Sequence, residues 1–224
     1  MVGMSEKLPI YIIESGNRQY LAEMFMRFQE YYESPEFKGR VFTVEEFAHW
    51  YRGKYGAFTY SKDWYGFNIP SKVLEPFRDG QFNPLTEKEQ NLLNICRNAS
   101  GDFYVLGVTP KAEYFTETLK HEFVHGAFDV NPNYRAEVIS CIKDHGIREI
   151  NNGLRKMGYH ENVFSDETNA YVLVEPDTIQ DLVNISNTKN LRFRLDNIFK
   201  KYFGYSILGA KVPELLARTE HVII

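Results

Sequence analysis

Phe103-Tyr104-Val105-Leu106-Gly107-Val108 and, further along, His121-Glu122-Phe123-Val124-His125 are the two runs whose reading decides the fold. The first is a continuous apolar stretch rich in β-branched and aromatic residues. Gly101-Asp102 bounds it on one side and Thr109-Pro110 on the other, the pattern of a short strand. Pro110 suits the first turn of a helix with Thr109 as its cap, so Lys111 to Phe128 is expected to continue as one helix around the second run. On that helix Phe115, Leu119, Phe123, Gly126 and Ala127 form an apolar stripe beside the histidines. A strand leading into a long amphipathic helix, in a chain whose other periodicities are mainly helical, gives the expected class. It is α+β, mostly helical, with a small sheet next to the histidine helix.

On the N-terminal side, Leu8 to Ile13 reads as a strand closed by Ser15-Gly16-Asn17. A helix follows from Arg18 to Tyr32, with Leu21, Met24, Phe25 and Phe28 on one stripe. Thr43-Val44-Glu45-Glu46 and Thr86-Glu87-Lys88-Glu89 both have the capping-box form, so capped helices are expected to about Lys54 and about Arg97. Between them, Ala57 to Pro84 carries Tyr60, Trp64, Tyr65, Phe67, Phe77 and Phe82 among glycines and prolines. That stretch is too apolar for a solvated linker and is expected to pack over the core. On the C-terminal side, Asn131-Pro132-Asn133 ends the histidine helix, and another runs from about Tyr134 to Met157 with a break at Gly146. Ser165-Asp166-Glu167 reads as the cap and acidic first turn of a further helix. Arg192 to Tyr202 is a basic amphipathic helix with Leu191, Phe193, Leu195, Ile198 and Phe199 on its apolar side.

Hydrophobic residues at 43% and aromatics at 15% of 224 residues supply ample core for one compact unit. Within it, residues 1–100 form a helical, aromatic N-terminal part and 101–224 the part that carries the histidines. A formal net charge of -4 gives no general reason to expect nucleic acid or an anionic membrane as partner. Met1 to Lys7 lacks the apolar core of a secretory signal, and Leu8 to Ile13 is too short to span a bilayer, so a cytoplasmic location is expected. Cys96 and Cys141, far apart and isolated, are expected to be buried, reduced thiols.

The chemistry is concentrated in His121, Glu122 and His125. On a helix the two histidines lie one turn apart and point the same way, so both imidazoles can reach one metal ion, with zinc the expected one. Glu122 is rotated by about 100°. That keeps it out of the metal's ligand shell yet close enough to act as general base toward a bound water. His49 and His221 have no neighbouring ligand spacing and are expected to be structural.

With these residues in hand, the segment from about Asp102 to Pro176 resembles the zincin metallopeptidases, whose active-site helix carries His-Glu-x-x-His. In the metzincin branch a glycine and a third histidine follow, but this chain has Phe128 and Asn131 there. The gluzincin branch takes its third ligand from a glutamate on a later helix, and the resemblance implies Glu167 in that role, with Asp166 and Glu161 as competitors. Glu167, Ala170 and Pro176 are loosely similar to the Glu-x-x-Ala and terminal proline of the ImmA/IrrE-like metallopeptidases. The resemblance implies a zincin-like part over 101–224, a Zn2+ cofactor and a peptide or protein substrate. It also implies an upstream edge strand, here Phe103 to Val108, that holds substrate as an added strand. His145 and His160 are further candidates for a ligand or for the oxyanion, and Tyr159 and Tyr171 for the oxyanion. A non-catalytic zincin-like binding module and a metal-dependent hydrolase of small amides are the alternative functions.

Overall fold

The computed structural model describes residues 7–110, 114–146, 148–157, 159–178 and 185–224; the expectations for Met1 to Glu6 and for a helix start at Lys111 fall outside them. The fold is α+β, mostly helical with a four-stranded mixed sheet. In chain order come β1 (Ile10–Glu14), α1 (Arg18–Glu33), α2 (Val44–Tyr55), α3 (Tyr60–Asp63), β2 (Gly66–Pro70), α4 (Glu75–Arg78), α5 (Glu87–Ile95) and β3 (Tyr104–Val108). They are followed by α6 (Phe115–Val130), α7 (Pro132–His145), α8 (Arg148–Lys156), α9 (Phe164–Val174), α10 (Ile185–Phe203), α11 (Val212–Ala217) and β4 (Glu220–Ile223). Two compact units result: Met1–Phe115 with Leu216–Ile224, and Thr116–Leu215. Among the described residues no helix is long and apolar enough to cross a membrane.

In the first unit the sheet order is β2-β3-β1-β4, with β1 parallel to both β3 and β4 and β2 antiparallel to β3. Every residue of β3 is buried. The strand is therefore interior: Tyr104 to Val108 pair with β1 on one side and β2 on the other. This corrects the expectation of an edge that could accept an added strand. The physical reason is visible in the run itself, because unbroken apolarity suits a strand covered on both faces, the usual state of a central strand. β2 is the outer neighbour, and its own outer side is partly closed by the Asn68 N–H, which donates to Gln29 Oε1 at 3.0 Å.

Helix α1 starts at Asn17, whose side chain accepts from the Tyr20 N–H, and lays Leu21, Met24, Phe25 and Phe28 into the core. It lies so close to the sheet that a Cβ at Gly107 would sit 2.6 Å from the Phe25 ring, which explains a glycine in the middle of a buried strand. The aromatic stretch packs as expected at Tyr60, Phe67, Phe77 and Phe82, all buried. Phe28, Phe77 and Phe82 stack in series with centroid separations of 3.8 Å. Trp64 and Tyr65 instead remain about half exposed, at 47% and 50%.

The Thr86 capping box forms in full, and Glu89 does more than cap. Its buried carboxylate takes the Arg27 guanidinium side-on, with Nε to Oε1 at 2.6 Å and Nη2 to Oε2 at 2.5 Å. Arg27 also donates to the carbonyls of Phe42, Phe82 and Pro84, so one guanidinium ties α1 to α5 and to the loops around them. At Thr43 only half the box forms: Thr43 accepts from the Glu46 N–H, while the Glu46 carboxylate pairs with Arg40.

The second unit is a helical assembly in which α7, α9 and α10 pack on one another. Helix α6 is described from Phe115 onward, and the carbonyl of Val108, the last residue of β3, accepts from the Ser15 N–H at 3.0 Å. Asn131 caps α7 with Pro132 in its first turn, and Gly146 ends it at φ +79°. Ser165 is not a cap: a 3-10 turn over Glu161–Val163 leads directly into α9, so Ser165 lies inside the helix. On α10, Leu191, Leu195 and Phe199 are fully buried but Phe193 is 67% exposed. Two residues past Leu191, Phe193 falls about 200° round the helix, on the opposite face. Cys96 and Cys141 are buried free thiols, and burial pushes Cys96 up to about 12.

Candidate metal centre

The second unit alone builds the site. Helix α6 is buried from His121 through Phe128, so both histidines are held in the protein interior by the apolar stripe beside them. Their rings lie one turn apart, with centroids separated by 4.8 Å. Facing them, α9 presents Glu167, Tyr171 and, at its C-terminal cap, Glu175, residues spaced by four and so aligned along one helical face.

Glu167 Oε2 is 4.0 Å from His121 Nε2 and 3.9 Å from His125 Nε2. One donor atom from each of the three residues lies within 4.8 Å of the others. Two imidazole nitrogens and a carboxylate oxygen are donor types that could hold a metal ion, and catalytic zinc sites use such a set with a fourth position open. Zinc–ligand lengths of about 2.0–2.1 Å in a tetrahedron would bring donors to about 3.4 Å. The two Glu167–histidine separations would close by about half an ångström, and the longest donor separation, up to 4.8 Å, by about 1.4 Å, which needs rotation of the histidine rings as well. A second observation fits the same reading: His121 Nδ1 is buried and makes no hydrogen bond, so this ring is not held as an ordinary core histidine would be.

The outward nitrogens face carboxylates as well. His125 Nδ1 lies 2.9 Å from Asp166 Oδ1, close enough for a charge-assisted bond although not aligned as one, and His121 Nδ1 is 3.6 Å from Glu175 Oε1. Burial pushes the His125 imidazole down, but the Asp166, Glu167 and Glu122 carboxylates outweigh it and hold it well above the usual histidine range. His121 moves the opposite way, pulled well below by burial and then by the charge of His125. Burial raises Glu175, with Glu117 adding repulsion. Glu122 is itself buried at 9% exposure, on the same turn as His121.

The Tyr171 ring stands edge-on to His121 at 4.8 Å, and its hydroxyl is 2.9 Å from that of Tyr159. Burial pushes Tyr171 up to about 12, so it stays a proton donor at neutral pH. Of the sequence candidates, His121, His125 and Glu167 converge, while Asp166 faces the outward nitrogen of His125. Glu161 is exposed. His160 spends its side chain locally, with Nδ1 accepting from the Asn162 N–H. His145 ends α7 and joins no group of converging ligands among the described residues, and His49 is exposed on α2. His221 pairs with Glu14 at 3.0 Å across the sheet of the first unit. Glu175 is the residue the sequence reading passed over, and its signal was the four-residue spacing from Glu167 through Tyr171.

No family model, curated protein or solved structure matches this chain.

Proposed function

We propose that the chain is a zinc-dependent metallopeptidase of gluzincin type, held at His121, His125 and Glu167 and acting on peptide or protein substrates. The observation that carries this reading is the approach of Glu167 Oε2 to the Nε2 atoms of both histidines within a buried helix pair. When bound, zinc supplies Lewis acidity toward the scissile carbonyl and lowers the pKa of a water toward about 7.

The chain's own groups account for the proton transfers. Glu122 accepts a proton from the attacking water as its oxygen bonds to the carbonyl carbon, and returns it to the nitrogen as the C–N bond breaks. Tyr171, paired with Tyr159, supplies an O–H beside His121 that suits the negative charge growing on the carbonyl oxygen. The buried setting keeps bulk water from competing and strengthens both interactions.

The test is to measure bound zinc and peptide cleavage for the full chain and for Glu122→Gln. The reading expects about one zinc per chain in both proteins and a loss of cleavage of at least a hundredfold in the variant, within the range for a general base. Absence of zinc from the reconstituted wild type, or equal cleavage by the two proteins, overturns it.

A further inference from the structure

The geometry points to Asp166 and Glu175 as a matched pair of positioning residues. Each faces the outward Nδ1 of one histidine, on the side away from Glu167, and would orient its ring so that both Nε2 atoms turn toward Glu167. This inference rests on the zinc reading above and deepens it.

Four contacts carry the inference. On one side of the two rings stand Asp166 Oδ1, 2.9 Å from His125 Nδ1, and Glu175 Oε1, 3.6 Å from His121 Nδ1. On the other, Glu167 Oε2 lies 3.9 Å from His125 Nε2 and 4.0 Å from His121 Nε2. An imidazole that binds a metal through Nε2 must carry its proton on Nδ1, and an acceptor there fixes both the tautomer and the ring's rotation. All three carboxylates come from α9 and its cap, so a single helix delivers the ligand and both orienting groups. The two histidines are 8% and 3% exposed, so bulk water offers their Nδ1 atoms little alternative. The arrangement is asymmetric. The contact to His125 is within hydrogen-bond distance though not aligned as a bond, whereas that to His121, at 3.6 Å, needs the Glu175 carboxylate to move closer by about half an ångström.

The experiment measures zinc affinity of the full chain by competition with a chromophoric chelator for wild type, Asp166→Asn, Asp166→Ala, Glu175→Gln and Glu175→Ala. Glu122→Gln serves as the control that removes another carboxylate charge acting on His125. The alanine variants are expected to bind zinc about 10- to 100-fold more weakly. Asn and Gln, which keep an acceptor oxygen, recover part of that loss, and Glu122→Gln stays within about threefold of wild type. Histidine nitrogen NMR of the zinc-loaded wild type gives a readout independent of any variant's folding: both imidazoles are expected to hold the proton on Nδ1. Alanine variants that bind within threefold of wild type, a Glu122→Gln loss as large as theirs, or a proton on Nε2 of either histidine overturns the assignment while leaving zinc binding intact. A wild type that binds no zinc overturns the metallopeptidase reading and this inference with it.

Discussion

Replacing Arg27 by Met tests the first unit where its polar core is most concentrated. Arg27 and Glu89 have side chains only 4% and 1% exposed, and the substitution leaves the Glu89 carboxylate buried with its cationic partner gone. Removing one member of such a pair costs about 3–5 kcal/mol. The carbonyls of Phe42, Phe82 and Pro84 lose a donor as well, which places the expected loss at the upper end of that range. Against a typical domain stability of about 5–15 kcal/mol, this is a large fraction. Adding Glu89→Gln removes the stranded charge while keeping an oxygen for the Thr86 N–H, so the double variant should regain at least about 1–2 kcal/mol over Arg27→Met alone. Urea unfolding at neutral pH followed by tryptophan fluorescence reads the right region, because Trp50 and Trp64 both lie in the first unit. A loss below about 1 kcal/mol for Arg27→Met, or a double variant no more stable than the single, would refute the reasoning.

Glu30 gives a pH dependence with a definite sign. Burial raises its carboxyl from 4.5 to about 7, eased by the nearby Ser34 and Tyr60 hydroxyls. The native state thus keeps a proton that the unfolded chain has released, and stability falls as pH rises from 4.5 to about 7, by at most about 3 kcal/mol, then levels off. Glu30→Gln should therefore stabilise the first unit at pH 8, be nearly neutral near pH 4.5, and flatten the profile in urea titrations; an unchanged profile contradicts the assignment. Gly107→Ala forces a Cβ into the Phe25 ring and should cost about 1–3 kcal/mol by the same fluorescence assay, with Phe25→Leu in the same chain relieving part of it. Zinc at a hundred times its Kd should raise the apparent stability of the second unit by about 2.7 kcal/mol, as seen by hydrogen exchange in α6 and α9, and a chelator should reverse it. Glu167→Ala should abolish most of that gain; full protection in that variant would remove Glu167 from the ligand set.

Much of this was legible in the sequence where the signal is local. The Thr86 capping box, the Asn131-Pro132 boundary, the break at Gly146 and the one-turn spacing of His121 and His125 all depend on residues within a turn or two of each other. What was hidden depends on partners far along the chain. Gly66-Phe67-Asn68-Ile69-Pro70 looks like loop because a glycine and a proline bracket it, and it becomes β2 only by pairing with β3. The interior place of β3 follows from two neighbours that its own sequence does not name. Phe193 is apolar by composition but stands on the exposed face of α10 by helical phase. The same phase, carried from Glu167 to Tyr171 and Glu175, would have found a carboxylate that faces His121.

The sheet also has a history written into its order. β4 pairs with β1 along Tyr11 to Glu14, and the Glu14–His221 contact spans 207 residues of sequence. As the chain emerges during synthesis, β1 must wait with one side open until the whole of Thr116–Leu215 has passed. The helical unit has every residue it needs to fold before the sheet that precedes it in sequence can be completed. The last pairing to form is thus one of very high sequence separation, the kind that slows folding and leaves a strand exposed to wrong partners in the interval.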